Sequence, residues 1–223
     1  MSRIAPILCC GAAVMLLSCS DSTGPPDFQD QPSLGAIAGP GVSGSQLHPL
    51  SHRMHVVPSD SERLFQQLFL QAAGSESQET SIMGFWAVRG EERTFEIGYQ
   101  SDGDTATSEF LRFHIPAAGL LLRPDGTAFA AGDSVLITVT VDPAEFHLEF
   151  GPSGLVFNDQ APAQLDLWYS AAEGDIPQQK LGIWYQQEAG TLWYPIVSQH
   201  ELERMWFQTV LFHFSGYVIS WNK

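Results

Sequence analysis

Every second residue from Val135 to Val141 is branched and apolar, with Leu136, Thr138 and Thr140 between them, and this period of two governs the chain from Ile82 to Trp221. Successive side chains of an extended strand point to opposite faces, so such a pattern presents one apolar face as a strand and none as a helix. Phe146, Leu148 and Phe150 alternate with His147 and Glu149, and Leu111, Phe113 and Ile115 alternate with Arg112 and His114. Further runs are Phe95 to Tyr99, Leu165 to Tyr169, Leu181 to Gln186, Thr191 to Ile196, Trp206 to Phe214 and Tyr217 to Trp221. Turn chemistry separates them, as at Asp102-Gly103-Asp104, Pro124-Asp125-Gly126, Asp142-Pro143, Asn158-Asp159 and Ala189-Gly190. About ten half-buried strands at this spacing predict an all-β chain, an antiparallel β-sandwich over 82–223, with no helices alternating between strands as a parallel sheet requires.

Upstream the pattern changes twice. Ser59 and Glu62 have capping-box spacing and Leu64, Phe65, Leu68 and Phe69 follow at helical intervals, so one short helix is expected at 60–73, its apolar stripe packed on the sandwich. Residues 19–59 have the composition of a flexible tether, with Pro25, Pro26, Pro32, Pro40, Pro49 and Pro58 among Gly, Ser, Asp and Gln. About 40 such residues have a root-mean-square reach of roughly 35 Å. His48, His52 and His55 fall in this stretch, where no scaffold fixes a metal geometry, so they are expected to be solvated.

The first 18 residues read as an export signal: Arg3, then an apolar stretch from Ile4 to Leu17, then a small residue and a polar Ser20-Asp21-Ser22. That stretch, interrupted by Pro6 and Gly11, falls short of the roughly 20 residues that span a bilayer. Leu16-Leu17-Ser18-Cys19 resembles the lipobox of bacterial lipoproteins. The resemblance implies a lipidated Cys19 at the mature N-terminus, attachment to a membrane and, since no Asp follows Cys19, sorting to the outer membrane; ordinary signal cleavage is the alternative. Cys9, Cys10 and Cys19 are the three cysteines, so an exported body would fold without disulfides.

All 25 acidic residues lie beyond Cys19, and the formal net charge is −15. Such a surface repels phosphate backbones, which argues against nucleic-acid partners. The 205 or so residues after the signal are enough for one core of ordinary size.

Four segments carry a second likeness: Phe113-His114-Ile115-Pro116-Ala117-Ala118, Val135 to Val141, Phe150-Gly151-Pro152-Ser153-Gly154-Leu155-Val156-Phe157, and Phe212-His213-Phe214-Ser215-Gly216-Tyr217. Together they resemble the ZU-five domain, the β-sandwich of netrin receptors, ankyrins and tight-junction scaffolds, over roughly Ile82 to Trp221. The likeness implies an interaction module. In some animal relatives such a domain cuts itself between the Phe and Ser of a His-Phe-Ser triplet. The alternative it implies here has Ser215 attacking the carbonyl of Phe214, with His213 as base and His147 or His114 as a second imidazole; the plain reading is a strand with an outward histidine and a bend at Ser215-Gly216.

Other motifs fail on their spacing. His200-Glu201-Leu202-Glu203-Arg204 has Arg204 where a zinc helix needs its second histidine, Leu155 replaces the last glycine of a nucleophile elbow, and Ala106 replaces an oxygen ligand after Asp102 and Asp104 of a calcium loop. No cofactor or metal site is expected, weak calcium binding at those two aspartates aside. Trp168 lies between Leu167 and Tyr169, and Trp184 between Ile183 and Tyr185. With the neighbours inward, the two indoles would lie outside as an aromatic strip for an envelope protein or a glycan, unless the helix or tether covers them. The expectation is a non-catalytic binding or structural module of the bacterial envelope, with self-cleavage and carbohydrate or calcium binding as alternatives.

Overall fold

Alternating apolar residues bury best when two sheets face each other, and the computed structural model has that architecture over the residues it describes, 34–51, 54–58, 81–101, 106–142, 146–186 and 191–222. In chain order the strands are β1 (Val42–Ser43), β2 (Leu47–Pro49), β3 (Met54–Pro58), β4 (Ser81–Val88), β5 (Arg93–Ser101) and β6 (Ser108–Ile115). They continue with β7 (Leu120–Leu122), β8 (Ser134–Val141), β9 (His147–Gly151), β10 (Val156–Phe157) and β11 (Ala163–Trp168). The last are β12 (Gly182–Gln186), β13 (Leu192–Ile196), β14 (Gln199–Glu201), β15 (Trp206–Leu211) and β16 (Gly216–Asn222). One sheet runs β1-β13-β12-β16-β9-β8-β4, with β2 also paired to β16; the other runs β14-β15-β11-β6-β5-β3; β10 and β7 form a ribbon. Every pairing is antiparallel, and the fold is the all-β sandwich that the alternation predicts.

The core is a nest of rings. Phe113 on β6, fully buried, lies 5.2 Å from Phe150 on β9, 5.8 Å from Phe214, and 6.2 Å from both Phe85 on β4 and Phe157 on β10. It therefore touches both sheets and the ribbon. The tilted and edge-on geometries among these rings are those that aromatic quadrupoles prefer. Ile137, Val139 and Val141 supply the aliphatic part from β8, all buried, while Leu136, Thr138 and Thr140 between them are partly exposed.

The tether expected at 19–59 is corrected over its second half. Residues 42–58 contribute three strands: Val42 and Ser43 pair with Trp193 and Leu192, Leu47 to Pro49 with Asn222 to Ser220, and Met54 to Pro58 with Ser101 to Ile97. Proline misleads there because an edge strand tolerates it, and Pro49 and Pro58 each close an element. Gly35 allows the approach of this segment: at φ 79° it lies so close to β15 that a Cβ would fall 2.3 Å from the Val210 carbonyl oxygen. His48 is not merely solvated, since its ring stacks 5.3 Å from that of Trp221. The helix expected at 60–73, His52, Cys19 with its signal, and the pair Asp102 and Asp104 lie outside the described residues. Among the described residues no helix is long and apolar enough to cross a membrane.

Replacing the hub ring tests this account of the core. Phe113→Ala should lower the unfolding free energy by about 3–5 kcal/mol in urea denaturation, whereas Trp86→Ser, at a half-exposed position, should cost under about 0.5 kcal/mol. Similar losses at the two positions would refute a core organised around Phe113.

Candidate functional site

Because Phe95, Phe113, Leu165, Leu167 and Phe207 turn inward, their neighbours along β5, β6, β11 and β15 turn to the outer face of the six-stranded sheet. The register aligns them into rows across the strands. Glu96 stands opposite Arg112, Arg112 opposite Asp166, and Asp166 opposite Gln208. On one side of this row Thr94, His114 and Gln164 form a second; on the other Trp168 faces Trp206. All of these except Glu96, together with Arg204, line a cleft of about 400 Å³. A smaller hollow of about 150 Å³, bordered by Thr107, Ser108 and Glu109, meets it at Arg112 and Trp168.

Each central side chain is held by its neighbours. Arg112 donates from Nε to Glu96 Oε1 at 2.7 Å and from Nη2 to Glu109 Oε1 at 3.2 Å, and its guanidinium lies 5.5 Å from the Trp168 ring centre. Arg204 lies over Trp206 at 5.3 Å, with Nη1 3.4 Å from Glu201 Oε2. Asp166 Oδ1 accepts from Trp206 Nε1 and from Gln208 Nε2, both at 3.1 Å. His114 Nδ1 is 3.1 Å from Thr94 Oγ1.

Asp166 is 7% exposed and carries the cleft's most constrained charge. Desolvation raises its pKa above the ordinary carboxylate range, against the hydrogen bond from Gln208, the charge of Arg112 and the hydrogen bond from Trp206. A carboxyl raised in the folded state holds its proton more tightly there than in the unfolded chain. Folding stability from this group therefore declines as pH climbs from the usual aspartate value through the raised one, and it stays lowered at neutral pH.

The two tryptophans singled out from sequence form no strip. Their neighbours do turn inward, with Leu167, Tyr169, Ile183 and Tyr185 all buried. The indoles, however, lie on different sheets and are only 7% and 8% exposed. Trp184 is covered by Leu47 from the supposed tether together with Val218, Val42 and Trp193, and its Nε1 donates to the Ser220 carbonyl at 3.1 Å. Trp168 forms one wall of the cleft.

Around the His-Phe-Ser triplet, the Phe214 ring is fully buried and the Ser215 hydroxyl donates to the Gln186 carbonyl. His213 turns its ring edge-on to Tyr185, 5.5 Å away, and among the described residues no hydrogen bond joins it to Ser215. His114 belongs to the opposite sheet. His147 is the imidazole near the triplet: a Cβ on Gly216 would lie 3.2 Å from its Nε2, which is buried with no hydrogen-bond partner and 4.0 Å from Glu149. His200, at the start of the rejected zinc motif, lies in β14 with its ring stacked 3.9 Å from Phe207. Among the described residues no group of three His, Cys, Asp or Glu side chains could hold a metal ion.

Sequence reading missed Arg112, Asp166 and Gln208 as a group. One signal was present: Asp166 is a charge inside the otherwise apolar run Leu165 to Tyr169.

Two substitutions separate the charge of Asp166 from its hydrogen bonds. Asp166→Asn keeps an acceptor for Trp206 and Gln208, so it should unfold in urea at pH 7 no more easily than the parent, with any gain shrinking towards pH 3.5. Asp166→Ala strands both donors and should cost about 1–3 kcal/mol. Equal losses in both variants would contradict this assignment.

No family model, no curated protein and no solved structure matches the chain, so the case for its function rests on the geometry of this cleft and on the sequence.

Proposed function

We propose that this protein is a membrane-anchored bacterial lipoprotein, its sandwich similar to the ZU-five domain, that works in the cell envelope as a non-catalytic binding module with the cleft on the six-stranded sheet as its contact site. The observation that carries the reading is the row Glu96, Arg112, Asp166 and Gln208 beside two indoles, in which Arg112 is held by Glu96 and Asp166 by Gln208 and Trp206. A sheet face that served solubility alone would have no use for a desolvated aspartate, whose charge lowers stability at neutral pH. Small clefts with a few oriented polar groups and aromatic walls are the usual form of a ligand site.

The string Leu16-Leu17-Ser18-Cys19 supports the anchor, and the absence of Asp after Cys19 supports outer-membrane sorting. Durable attachment calls for more than one acyl chain.

One pair of variants tests the two halves of the reading separately. Cys19→Ala should move the protein from the membrane to the soluble fraction of cells without altering the cleft. Arg112→Ala should stay with the membrane yet lose at least about tenfold in saturable binding to delipidated envelope material. Full release of the parent in fatty-acid-free form would remove the anchor, and undiminished binding by Arg112→Ala would remove the contact site.

The buried, unpartnered Nε2 of His147 beside Gly216 favours a second reading, cleavage between Phe214 and Ser215. The released segment would still be held, since β16 pairs with β12, β9 and β2. The intact mass of denatured protein from cells decides: a nine-residue loss that vanishes in Ser215→Ala supports cleavage, and the uncut mass excludes it.

A further inference from the structure

Charge balance and hydrogen-bonding capacity say more about what the cleft accepts. The two cations along it already have carboxylates beside them, Glu96 and Glu109 for Arg112 and Glu201 for Arg204, while Asp166 faces Arg112 across the register. An anionic ligand would have to displace Glu96 and would approach Asp166; a cationic one would approach two guanidiniums. Each guanidinium is thus already paired, and the carboxylates, which outnumber the guanidiniums four to two, are each engaged by an ion pair or by hydrogen bonds.

What the row leaves for a ligand is a mixture of donors and acceptors. Arg112 uses Nε and Nη2 and keeps Nη1; Asp166 uses Oδ1 twice and keeps Oδ2; Gln208 uses Nε2 and keeps Oε1. Gln164, exposed at the rim, brings a complete amide, and His114 brings the ring nitrogen not directed at Thr94. A hydroxyl both donates and accepts, so a ligand bearing several adjacent hydroxyls can satisfy neighbouring donors and acceptors without carrying charge. The polar groups are pre-set: the guanidinium is fixed by two carboxylates and an indole, and the carboxylate by an indole N–H and an amide, so binding would order few side chains. The second hollow extends the cleft past Arg112 and Trp168 and is bordered by the hydroxyl residues Thr107 and Ser108. A ligand passing from one hollow to the other is longer than a single ring.

We propose that the cleft binds a neutral, polyhydroxylated chain, an oligosaccharide segment lying along the junction of the two hollows, with Arg112, Asp166, Gln208 and Gln164 as its hydrogen-bonding partners. This rests on the reading of the cleft as the contact site and gives that site its ligand class. Recognition is by hydrogen bonding more than by ring stacking, because the cations over Trp168 and Trp206 already cover the indole faces.

Calorimetric titration of the full-length protein in detergent tests it, with cellohexaose, maltohexaose and chitohexaose as neutral probes, hexagalacturonate as the anionic probe and the glucosamine hexamer as the cationic one. At least one neutral hexamer should bind saturably and at least about tenfold more tightly than either charged probe. Asp166→Asn, which keeps the internal hydrogen bonds, and Gln164→Ala, at the exposed rim, should each weaken that binding about fivefold to tenfold. Tighter binding of a charged hexamer, failure of all three neutral ones, or binding that neither variant changes would overturn the proposal. Failure of the neutral hexamers alongside loss of envelope binding in Arg112→Ala would reject the glycan and leave the contact site standing. Unchanged envelope binding in Arg112→Ala would reject the site itself.

Discussion

The inward turn of Phe113 is the constraint on which the rest depends. Its ring reaches Phe85, Phe150, Phe157 and Phe214, so β6 cannot slide by one residue without exposing the ring at the centre of the core. A strand's side-chain period of two then leaves Arg112 and His114 no choice but the outer face. Leu165 and Leu167 do the same for Gln164, Asp166 and Trp168 on β11, and Phe207 for Trp206 and Gln208 on β15. The cleft is thus a consequence of core packing: the apolar residues set the register, and the register lines up the polar ones.

That dependence explains which parts were legible in the sequence. The alternation over β6, β8, β9 and β11 is a property of each strand alone, so strand identity and the inward set can be read without knowing any partner. Strands β1, β2 and β3 lack such a signature. They are edge or short elements whose backbone groups are satisfied by β13, β16 and β5, and their prolines and glycines look like those of a linker until the partner is known. Trp184 follows from the same blind spot, since the residue that covers it, Leu47, belongs to β2.

The cleft was hidden for a different reason. Glu96, Arg112, Asp166 and Gln208 come from four strands spread over more than a hundred residues, and apart from Asp166 in its apolar run each taken singly is an ordinary outward polar residue. Only strand order makes them neighbours, and strand order is not encoded in any one segment. His147 is comparable: its closeness to Gly216 comes from the pairing of β9 with β16, joining segments about 70 residues apart.

Asp166 shows how such a site differs from ordinary surface. Outward polar residues on a sheet usually reach water and cost little, whereas this carboxylate is desolvated between an indole and two long side chains. Its two hydrogen bonds and the charge of Arg112 offset part of that penalty and do not cancel it, since its pKa stays above the usual range. An asparagine would satisfy the same two donors without the charge, so stability alone favours the amide. What the carboxylate adds is a second, strongly accepting oxygen that Trp206 and Gln208 do not use, across the register from Arg112, and such a group is useful when a ligand supplies the hydrogens it lacks. The chain as a whole is strongly acidic, while the ion pairs along the cleft leave an uncharged ligand no need to displace a counter-charge. The row on four strands therefore offers a ligand oriented hydrogen-bonding groups more than an unpaired charge.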